Sequence, residues 1–217
     1  MPPKTTRKAV TFPDWAAEEA LWAEGAERVA GVDEAGRGPL AGPVVAAAVV
    51  LPRGWQAPQG LNDSKKMKEP ARYTAFDVIR QTALGWRIAV VSAAEVDSRN
   101  ILQATLWAMQ QSVMALGQQG MLPDAVLVDG DKCPTLPMPT QALIGGDGKS
   151  LSIAAASVLA KVARDRLMLA YHRRYPQYGW DKHKGYGTKA HREAILAHGP
   201  SPLHRRTFLR KLLGETP

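Results

Sequence analysis

The chain has almost no cysteine and no long uninterrupted apolar run, and each shortage excludes a class of protein. Its 217 residues contain one cysteine, Cys133, which excludes an intramolecular disulfide framework and favours a reducing compartment. No feature of the sequence indicates that Cys133 is a nucleophile and not an inert packing residue. The longest apolar run, 41–51, contains Pro43 and is too short to span a bilayer. The polar, basic start of the chain predicts no secretory signal, so we expect a cytoplasmic protein without a membrane association.

Acidic residues are scarce in the last third of the chain. From residue 149 to 217 the sequence has 14 Lys and Arg against four Asp and Glu, a net charge of +10, whereas the whole chain carries +8. The positive field therefore belongs to the C-terminal third and indicates a polyanionic partner. Solvated basic helices without any partner are the alternative explanation of the same charge.

The order of the predicted elements favours a single α/β domain. A chain of this length with 45% hydrophobic and 22% charged residues can bury a sizeable core. Helices that alternate with short strands in this order predict a mixed central sheet flanked by helices. We expect Asp14 and Asn100 to cap helices. The spacing predicts strands over 29–34, 44–51, 86–91, 125–130 and 142–144, and helices over 15–24, 70–84, 101–118, 150–175 and 187–198.

The most distinctive stretch is 32–43, where two adjacent carboxylates follow an apolar run. Asp33 and Glu34 precede Gly36-Arg37-Gly38, and a second apolar run begins at residue 44. Successive strand residues point to opposite faces, so both acids can serve one site only where the strand ends or distorts. The glycines permit such a distortion and a close approach of the backbone to a ligand. An acidic hairpin turn is the plain alternative.

Three acidic positions share one context in the sequence. The pair Asp33-Glu34, then Asp129, then Asp147 each close an apolar strand and precede a turn that contains glycine. Carboxylates gathered at strand ends are hard oxygen ligands, which match Mg²⁺ or Mn²⁺ better than zinc. No cluster of His and Cys has the spacing of a zinc site. Any one of these acids could also be only a turn former or a helix cap.

Two further groups of polar residues are candidates for substrate contacts. Ser157, Lys161 and Arg164 are spaced i, i+4 and i+7, so they lie on one face of the predicted helix. An exposed polar stripe explains that spacing equally simply. Tyr186 stands between two glycines among basic residues. It is either packed into its loop or offered to a base or a sugar.

Six motifs in this order resemble those of ribonuclease HII, a type 2 ribonuclease H. They extend over about residues 28 to 206, which is nearly the whole chain. The first motif is the most specific of them. The motifs are VDEAGRGPLAGP at 32–43, NDSKK at 62–66, VDG at 128–130, GDGK at 146–149, AASVLAKVARDR at 155–166 and HKGYGTKAH at 183–191.

The resemblance implies a fold and a division of the chain. We expect a ribonuclease H-like α/β core over 14–175 with a mixed central sheet. A small basic, helical C-terminal extension over 176–217 is expected to pack on that core. Residues 1–13 are expected to form a flexible basic tail.

The resemblance also implies an activity. Members of this family cleave RNA in RNA–DNA hybrids and incise 5′ of single ribonucleotides in duplex DNA, with two Mn²⁺ or Mg²⁺ ions. The expected products carry a 5′-phosphate and a 3′-hydroxyl. The expected partners are therefore RNA–DNA hybrid and ribonucleotide-containing duplex DNA. We expect a monomer, and the resemblance names no protein partner.

Each expected site residue can be placed on this sequence. The family's four acids, which are both catalytic and metal-binding, correspond to the four acids already selected from their strand-end context. Its glycine-arginine-glycine motif and its junction-sensing tyrosine have equivalents here as well. The expected metal ligands are Asp33, Glu34, Asp129 and Asp147, and the expected substrate contacts are Gly36, Arg37, Gly38, Lys65, Ser157, Lys161, Arg164, Lys184 and Tyr186.

Two other functions stay open at the level of sequence. A non-catalytic binder of hybrids or duplexes would need only an acidic turn and a basic face. A nuclease of the same superfold, such as a junction resolvase, would not require a 2′-hydroxyl group. Strand cleavage that depends on a divalent metal separates the first alternative from an enzyme.

Overall fold

The computed structural model describes residues 12–215, and a mixed sheet of five strands lies at its centre. The strands are β1 (Val29–Ala35), β2 (Val44–Val50), β3 (Gly85–Val91), β4 (Ala125–Asp129) and β5 (Thr140–Leu143), in the spatial order β3-β2-β1-β4-β5. The first three strands are antiparallel neighbours, whereas β4 and β5 run parallel to β1. The predicted α/β class with a mixed sheet is confirmed. The predicted tail over 1–13 lies almost wholly outside the described residues.

The helices follow the predicted order, but three of them were not predicted. The short α3 escaped prediction because seven residues carry little periodicity, although Ser92 and Glu95 form a complete capping box at its start. The four-residue α6 and the terminal α8 were also missed. The helices are α1 (Ala16–Ala23), α2 (Glu69–Thr82), α3 (Ala93–Arg99), α4 (Ile101–Leu116), α5 (Leu151–Arg174), α6 (Trp180–His183), α7 (Lys189–His198) and α8 (Arg206–Leu213).

One of the two predicted helix caps is present and the other is wrong. The side chain of Asn100 accepts a hydrogen bond from the Gln103 N–H at 3.0 Å, as expected of an N-cap. The N-cap of α1 is Trp15, not Asp14. The backbone of Asp14 is instead committed to a bridge with the segment before α5, which keeps it extended. Its carboxylate still accepts from the first helical N–H, that of Ala16, at 3.0 Å.

Two layers of helices enclose the sheet. One face packs on α2 and α5, and the other packs on α4, while every residue of β2 is buried between them. The helix α5 lies directly against β1 at Gly31. A Cβ atom at Gly31 would lie 2.1 Å from the carbonyl carbon of Ser152, so only glycine fits there. This contact brings the first turn of α5 close to the ends of β1 and β4.

The C-terminal segment has a small core of its own that rests on the loop after β1. Tyr178, Trp180 and Leu209 form a buried cluster with Ala41 and Met168. Backbone hydrogen bonds join the same loop to the C-terminal segment, including Gly42 N–H to Leu203 O at 2.8 Å and Arg205 N–H to Leu40 O at 2.9 Å. This packing supports the predicted extension over 176–217, whose boundary stays a prediction. Among the described residues, no helix has the length and apolarity needed to cross a membrane.

Candidate active site

Three of the four predicted acids converge at one edge of the sheet. Val32 of β1 pairs in parallel with Val128 of β4, so the next residues, Asp33 and Asp129, lie side by side. Asp147 belongs to the short 3₁₀ turn at 146–148 that precedes α5. One carboxylate oxygen from each of the three lies within 4.8 Å of the others. Asp33 and Asp147 are buried, with 4% and 8% of their surface exposed.

Backbone contacts fix these carboxylates in place. The Gly146 N–H donates to Oδ1 of Asp129 at 2.7 Å and so ties the turn of Asp147 to the end of β4. The N–H of Glu34 donates to Oδ1 of Asp33 at 2.6 Å. A Cβ atom at Gly146 would lie 2.6 Å from Cδ1 of Ile153, so the turn is also held close to α5. The site is therefore pre-organised before any ligand enters it.

Glu34 does not join the other three acids in the predicted way. We expected β1 to end or distort at this pair, but the strand continues to Ala35 and both residues pair with β2. Asp33 and Glu34 therefore point to opposite faces of the sheet. Glu34 lies on the face of α4, where its carboxylate is 3.6 Å from Nη1 of Arg37. Its charge still acts across the sheet edge on Asp33.

The proximity of these carboxylates perturbs their protonation. Burial, followed by the charges of Glu34 and Asp129, raises the pKa of Asp33 well above its usual range. Burial, followed by the charge of Asp129, raises the pKa of Asp147 to about 6. Burial also raises the pKa of Glu34, although the guanidinium of Arg37 opposes that shift. Such mutual repulsion is relieved by a cation, and a donor set made only of carboxylate oxygens fits Mg²⁺ or Mn²⁺.

A fifth acid, Asp63, reaches the same place and was missed at the level of sequence. A hydrogen bond with its side chain is one of the causes that raise the pKa of Asp147. Asp63 also accepts from the N–H of Lys65 at 2.9 Å and lies 3.5 Å from Nζ of Lys66. Burial opposes protonation of Lys65, but the surrounding carboxylates, Asp33 first, raise its pKa. The only signal in the sequence was the motif at 62–66, from which lysine alone was selected.

A pocket of about 570 Å³ opens beside the carboxylates. Its walls come from the loop after β1, the 62–66 loop, α2, α5 and the loop before α7. Five of the lining side chains are cationic and one is acidic, so the pocket suits an anionic ligand. The lining residues are Glu34, Ala35, Gly36, Arg37, Gly38, Ser64, Lys65, Arg72, Lys161, Arg164 and Tyr186.

The polar face of α5 is mostly buried, so the interpretation as an exposed stripe is wrong. Ser157 is 1% exposed and does not line the pocket. Its hydroxyl donates to the carbonyl of Ala154 and accepts from the N–H of Ser64 at 3.3 Å, which anchors the 62–66 loop. Lys161 does line the pocket, and its ammonium lies 2.8 Å from a carboxylate oxygen of Asp165. Burial lowers the pKa of Lys161, and Asp165 opposes that shift.

Arg164 and Lys184 are held by the protein itself. Arg164 is 1% exposed, and its guanidinium donates to the carbonyl oxygens of Ala41, Pro43 and Lys184 at 2.9–3.1 Å. Lys184 has a left-handed backbone with φ of 49°, and its ammonium donates to the carbonyl of Asp181. Lys184 does not line the pocket, and its contact with substrate stays a prediction.

Tyr186 combines the two roles that the sequence left open. Its backbone is fixed, because its carbonyl oxygen lies 2.9 Å from Nδ1 of the buried His191. Its ring is 43% exposed at the rim of the pocket. The guanidinium carbon of Arg164 lies 6.0 Å from the ring centroid, and a Cβ atom at Gly38 would lie 3.9 Å from Cε1 of the ring. The ring therefore lies next to Gly38 at the rim of the pocket.

Three positioning residues gave no recognisable signal in the sequence. Arg72 donates to the carbonyl oxygens of Ser64 and Met67 and so holds the loop that carries Lys65. Glu18, in the first turn of α1, is 1% exposed. It accepts from both serine hydroxyls and one N–H at the start of α5, next to the turn of Asp147. Arg205 is buried beneath the loop after β1.

This sheet and its carboxylate centre define a metal-dependent nuclease of the ribonuclease H superfold. The family model described as ribonuclease HII matches residues 30–211. A ribonuclease HII from Syntrophotalea carbinolica is 56% identical over 191 residues, which are 88% of this chain and 90% of that protein. One from Dechloromonas aromatica is 54% identical and covers 83% and 90%. The crystal structure of ribonuclease H2 from Pyrococcus horikoshii superposes with a TM-score of 0.72 at 26% identity, covering 85% and 96%.

The chain belongs to the ribonuclease HII family. It is therefore a metal-dependent endoribonuclease of the ribonuclease H class, whose members act on RNA–DNA hybrids.

Proposed function

We propose that this enzyme incises the strand 5′ of single ribonucleotides embedded in duplex DNA, in addition to cleaving RNA in RNA–DNA hybrids. The observation that carries the proposal is the position of the carboxylate centre. It lies beside a cationic pocket that is lined by Gly36–Gly38 and, next to Gly38, by the ring of Tyr186. Such a pocket can test the sugar at the cut and the sugar that follows it.

The carboxylates Asp33, Asp129 and Asp147 are the proposed ligands of the catalytic metal, with Glu34 at the edge of the same centre. When bound, a pair of Mg²⁺ or Mn²⁺ ions supplies an activated water and stabilises the charge that develops on the leaving 3′-oxygen. The acids bind and position the cations, so none of them needs to act as the general base. The products would carry a 5′-phosphate and a 3′-hydroxyl.

The chain's own groups orient the substrate. Backbone groups of Gly36–Gly38 are close enough to the pocket to read the 2′-hydroxyl, which is both a donor and an acceptor. Arg37, whose side chain is 51% exposed, is accessible for a bidentate contact with a phosphate in place of its ion pair with Glu34. Lys65 places a positive charge beside the carboxylate centre, so a scissile phosphate would lie between its ammonium group and the metal-binding carboxylates. The ring of Tyr186 packs on the sugar after the cut and favours a deoxyribose there.

The basic C-terminal third is proposed to hold the duplex backbone. Not all of its 14 cations are available for this, since Arg164 and Arg205 are buried and bound to carbonyl oxygens. The exposed Lys182 and Lys189 remain suitable for phosphate contacts. Affinity for an uncleavable hybrid should therefore fall steeply with salt, with a log–log slope of about −0.9 for each phosphate neutralised on B-form DNA. We also propose that the enzyme is a monomer and acts in the cytoplasm.

The experiment that tests the proposal compares three duplexes of one sequence. One contains a single ribonucleotide, one has a continuous RNA strand and one is all DNA. With Mg²⁺ or Mn²⁺ the first two should be cut, the single-ribonucleotide duplex on its 5′ side, and the all-DNA duplex should stay intact. EDTA and Asp129→Asn should each abolish cleavage. Cleavage of the hybrid without incision at the lone ribonucleotide would refute the proposal.

The same assay separates the alternatives. A non-catalytic binder would retain the labelled duplexes without cutting any of them at any metal concentration. A nuclease of the same superfold that ignores the 2′-hydroxyl would cut the all-DNA duplex or a branched DNA as readily as the others.

A further inference from the structure

Two arginines lie buried beneath the loop at 36–43 without an acidic partner. Arg164 and Arg205 are 1% and 0% exposed. Among residues 12–215 neither has a carboxylate oxygen within 4.0 Å of its guanidinium. A buried cation is costly unless its donors are satisfied. Here backbone carbonyl oxygens satisfy them, so these side chains act on the backbone of the loop.

The two arginines take different carbonyl oxygens. Arg164 binds those of Ala41, Pro43 and Lys184, as described above. Arg205 binds the glycine-arginine-glycine segment itself: Nη2 donates to Gly36 O at 2.6 Å and Nη1 donates to Arg37 O at 2.9 Å. Its Nε and Nη2 also donate to Gly42 O at 3.0 and 2.9 Å, which locks the guanidinium plane.

Because the peptide bond is planar, these contacts also fix the direction of the N–H groups on the other side of the loop. The carbonyl of Gly36 and the N–H of Arg37 belong to one plane and point in opposite directions. The same holds for the carbonyl of Arg37 and the N–H of Gly38. Because both carbonyls turn inward to Arg205, both N–H groups turn outward, on the side where these residues line the pocket. Neither N–H has a backbone acceptor among the described residues.

The buried charge also strengthens those donors. A cation on a carbonyl oxygen polarises the whole peptide group, and its N–H becomes a better donor. Two successive N–H groups that point the same way form a cradle for an oxygen atom that carries negative charge. The left-handed backbone of Gly36, with φ of +100°, allows the chain to turn in this way.

We propose that Arg205 is a positioning residue for ribose recognition, because it orients the Arg37 and Gly38 amides toward the 2′-oxygen at the cut. The proposal rests on the proposed function and extends it to a residue outside the pocket. Arg205 touches no substrate atom. It acts through the backbone, from the C-terminal extension into the loop that follows β1.

The test measures discrimination between ribose and deoxyribose rather than activity. In an Asp129→Asn background with Mg²⁺, Kd is measured for a duplex with one ribonucleotide and for the matching all-DNA duplex. Arg205→Lys keeps the charge but cannot bind three carbonyl oxygens in one plane. The preference for the ribonucleotide duplex should fall about tenfold for each amide hydrogen bond to the 2′-oxygen that the variant can no longer form, while the all-DNA Kd stays unchanged.

A matched variant controls for simple loss of stability. Leu209 is fully buried in the same C-terminal cluster, but its aliphatic side chain cannot hydrogen-bond to these carbonyls. Leu209→Ala should lower Tm while preserving the ratio of Kd values. An unchanged ratio in folded Arg205→Lys would overturn the proposal. So would a loss of the ratio in Leu209→Ala that matches the loss in Arg205→Lys.

A second measurement does not depend on the folding of any Arg205 variant. In Asp129→Asn protein, the backbone amide resonances of Arg37 and Gly38 should shift downfield with the ribonucleotide duplex and not with the all-DNA duplex. Equal responses to both duplexes would overturn the proposal. If the Asp129→Asn protein shows no preference for the ribonucleotide duplex at all, the proposed function fails first and the role of Arg205 fails with it.

Discussion

Removing one charge from the carboxylate centre should stabilise the metal-free protein. Asp33, Asp129 and Asp147 have carboxylate oxygens within 4.8 Å of one another, and two of these side chains are buried. Asp129→Asn deletes one charge but keeps the carbonyl-type oxygen that accepts from the Gly146 N–H. The turn that carries Asp147 therefore stays attached to β4. The free energy of unfolding should rise in EDTA, although the enzyme is inactivated.

The size of the gain follows from the pKa of Asp147. The pKa of this group is raised from 3.8 to about 6, which corresponds to a cost of about 3 kcal/mol for keeping it ionised. Burial is the largest cause and persists in the variant, so Asp129 accounts for only part of that cost, on the order of 1 kcal/mol. The charge of Asp129 also raises the pKa of Asp33, so its removal favours the metal-free protein there in the same direction. A gain of about 1 kcal/mol should raise Tm by roughly 2–4 °C in a chain of this size.

The pH dependence of the gain has a definite sign. A carboxyl whose pKa is raised in the fold binds its proton more tightly in the native state than in the unfolded chain. Metal-free stability therefore falls as pH rises from about 4 through about 6, and it stays low above that range. The advantage of Asp129→Asn should be complete at pH 8. It should shrink at pH 5, where Asp147 is mostly protonated in both proteins.

Thermal unfolding of both proteins in EDTA at pH 8 and pH 5 provides the measurement. Asp77→Asn removes an exposed charge on α2 and should change Tm very little at either pH. Saturating Mg²⁺ should raise Tm more in the wild type than in Asp129→Asn, because binding stabilises the state with the stronger site. A variant that unfolds at or below the wild-type Tm at pH 8 would show that repulsion at this centre is not a significant cost.

Three further predictions concern single side chains around the site. Tyr186→Ala should lower kcat/KM about tenfold or more at a lone ribonucleotide and by less on a continuous hybrid, whereas Tyr186→Phe should lose little, because the contact is ring packing. Steady-state kinetics on both substrates at fixed salt provide the measurement. Equal losses on the two substrates would show that the tyrosine has only a structural role. Glu18→Ala should leave buried donors at the start of α5 unpaired, which should cost about 1–3 kcal/mol of stability and weaken Mg²⁺ binding. Calorimetric titration with Mg²⁺ alone provides the measurement. An unchanged affinity for Mg²⁺ would show that Glu18 contributes to folding and not to the metal site. Burial lowers the pKa of His191 and of His204 to about 4, so both side chains are neutral in the folded protein. The free energy of unfolding should therefore fall between about pH 6.5 and pH 4, by about 3 kcal/mol for one histidine, because the unfolded chain takes up protons there. Urea unfolding at pH 7 and pH 5 should show a smaller loss in His204→Gln than in the wild type.

The sequence by itself determined the fold class and the position of the acids. Apolar runs that end in an acid and a glycine are typical of strand ends, and parallel neighbours bring such ends to one edge of a sheet. That local rule was sufficient for Asp33 and Asp129, whereas Asp147 lies beyond the end of β5, in the turn before α5. The seven-residue α3 was beyond that rule, because so short a helix carries little periodicity. The eight-residue α8 was missed although it is strongly amphipathic, whereas β1 and α5 were predicted within one residue at their boundaries.

Only the tertiary structure decided on which face of its strand or helix each polar side chain acts. Alternation along an unbroken β1 places Glu34 on the face opposite Asp33, although the two are adjacent in the chain. The spacing of Ser157, Lys161 and Arg164 fits an exposed stripe and a buried face equally well, and the packing of α5 on the sheet made the difference.

The same limit applies to the arginines beneath the loop at 36–43. Arg205 follows Gly36 by 169 residues, and no local pattern states that its guanidinium ends at that carbonyl oxygen. An arginine in a basic segment is ordinarily solvated, so composition assigned it to the nucleic-acid surface. Its burial arises because the C-terminal segment folds back onto the loop after β1, where backbone carbonyl oxygens accept hydrogen bonds from its guanidinium. Long-range closure of this kind is decided by the whole chain, since each contact becomes favourable only when the others are in place.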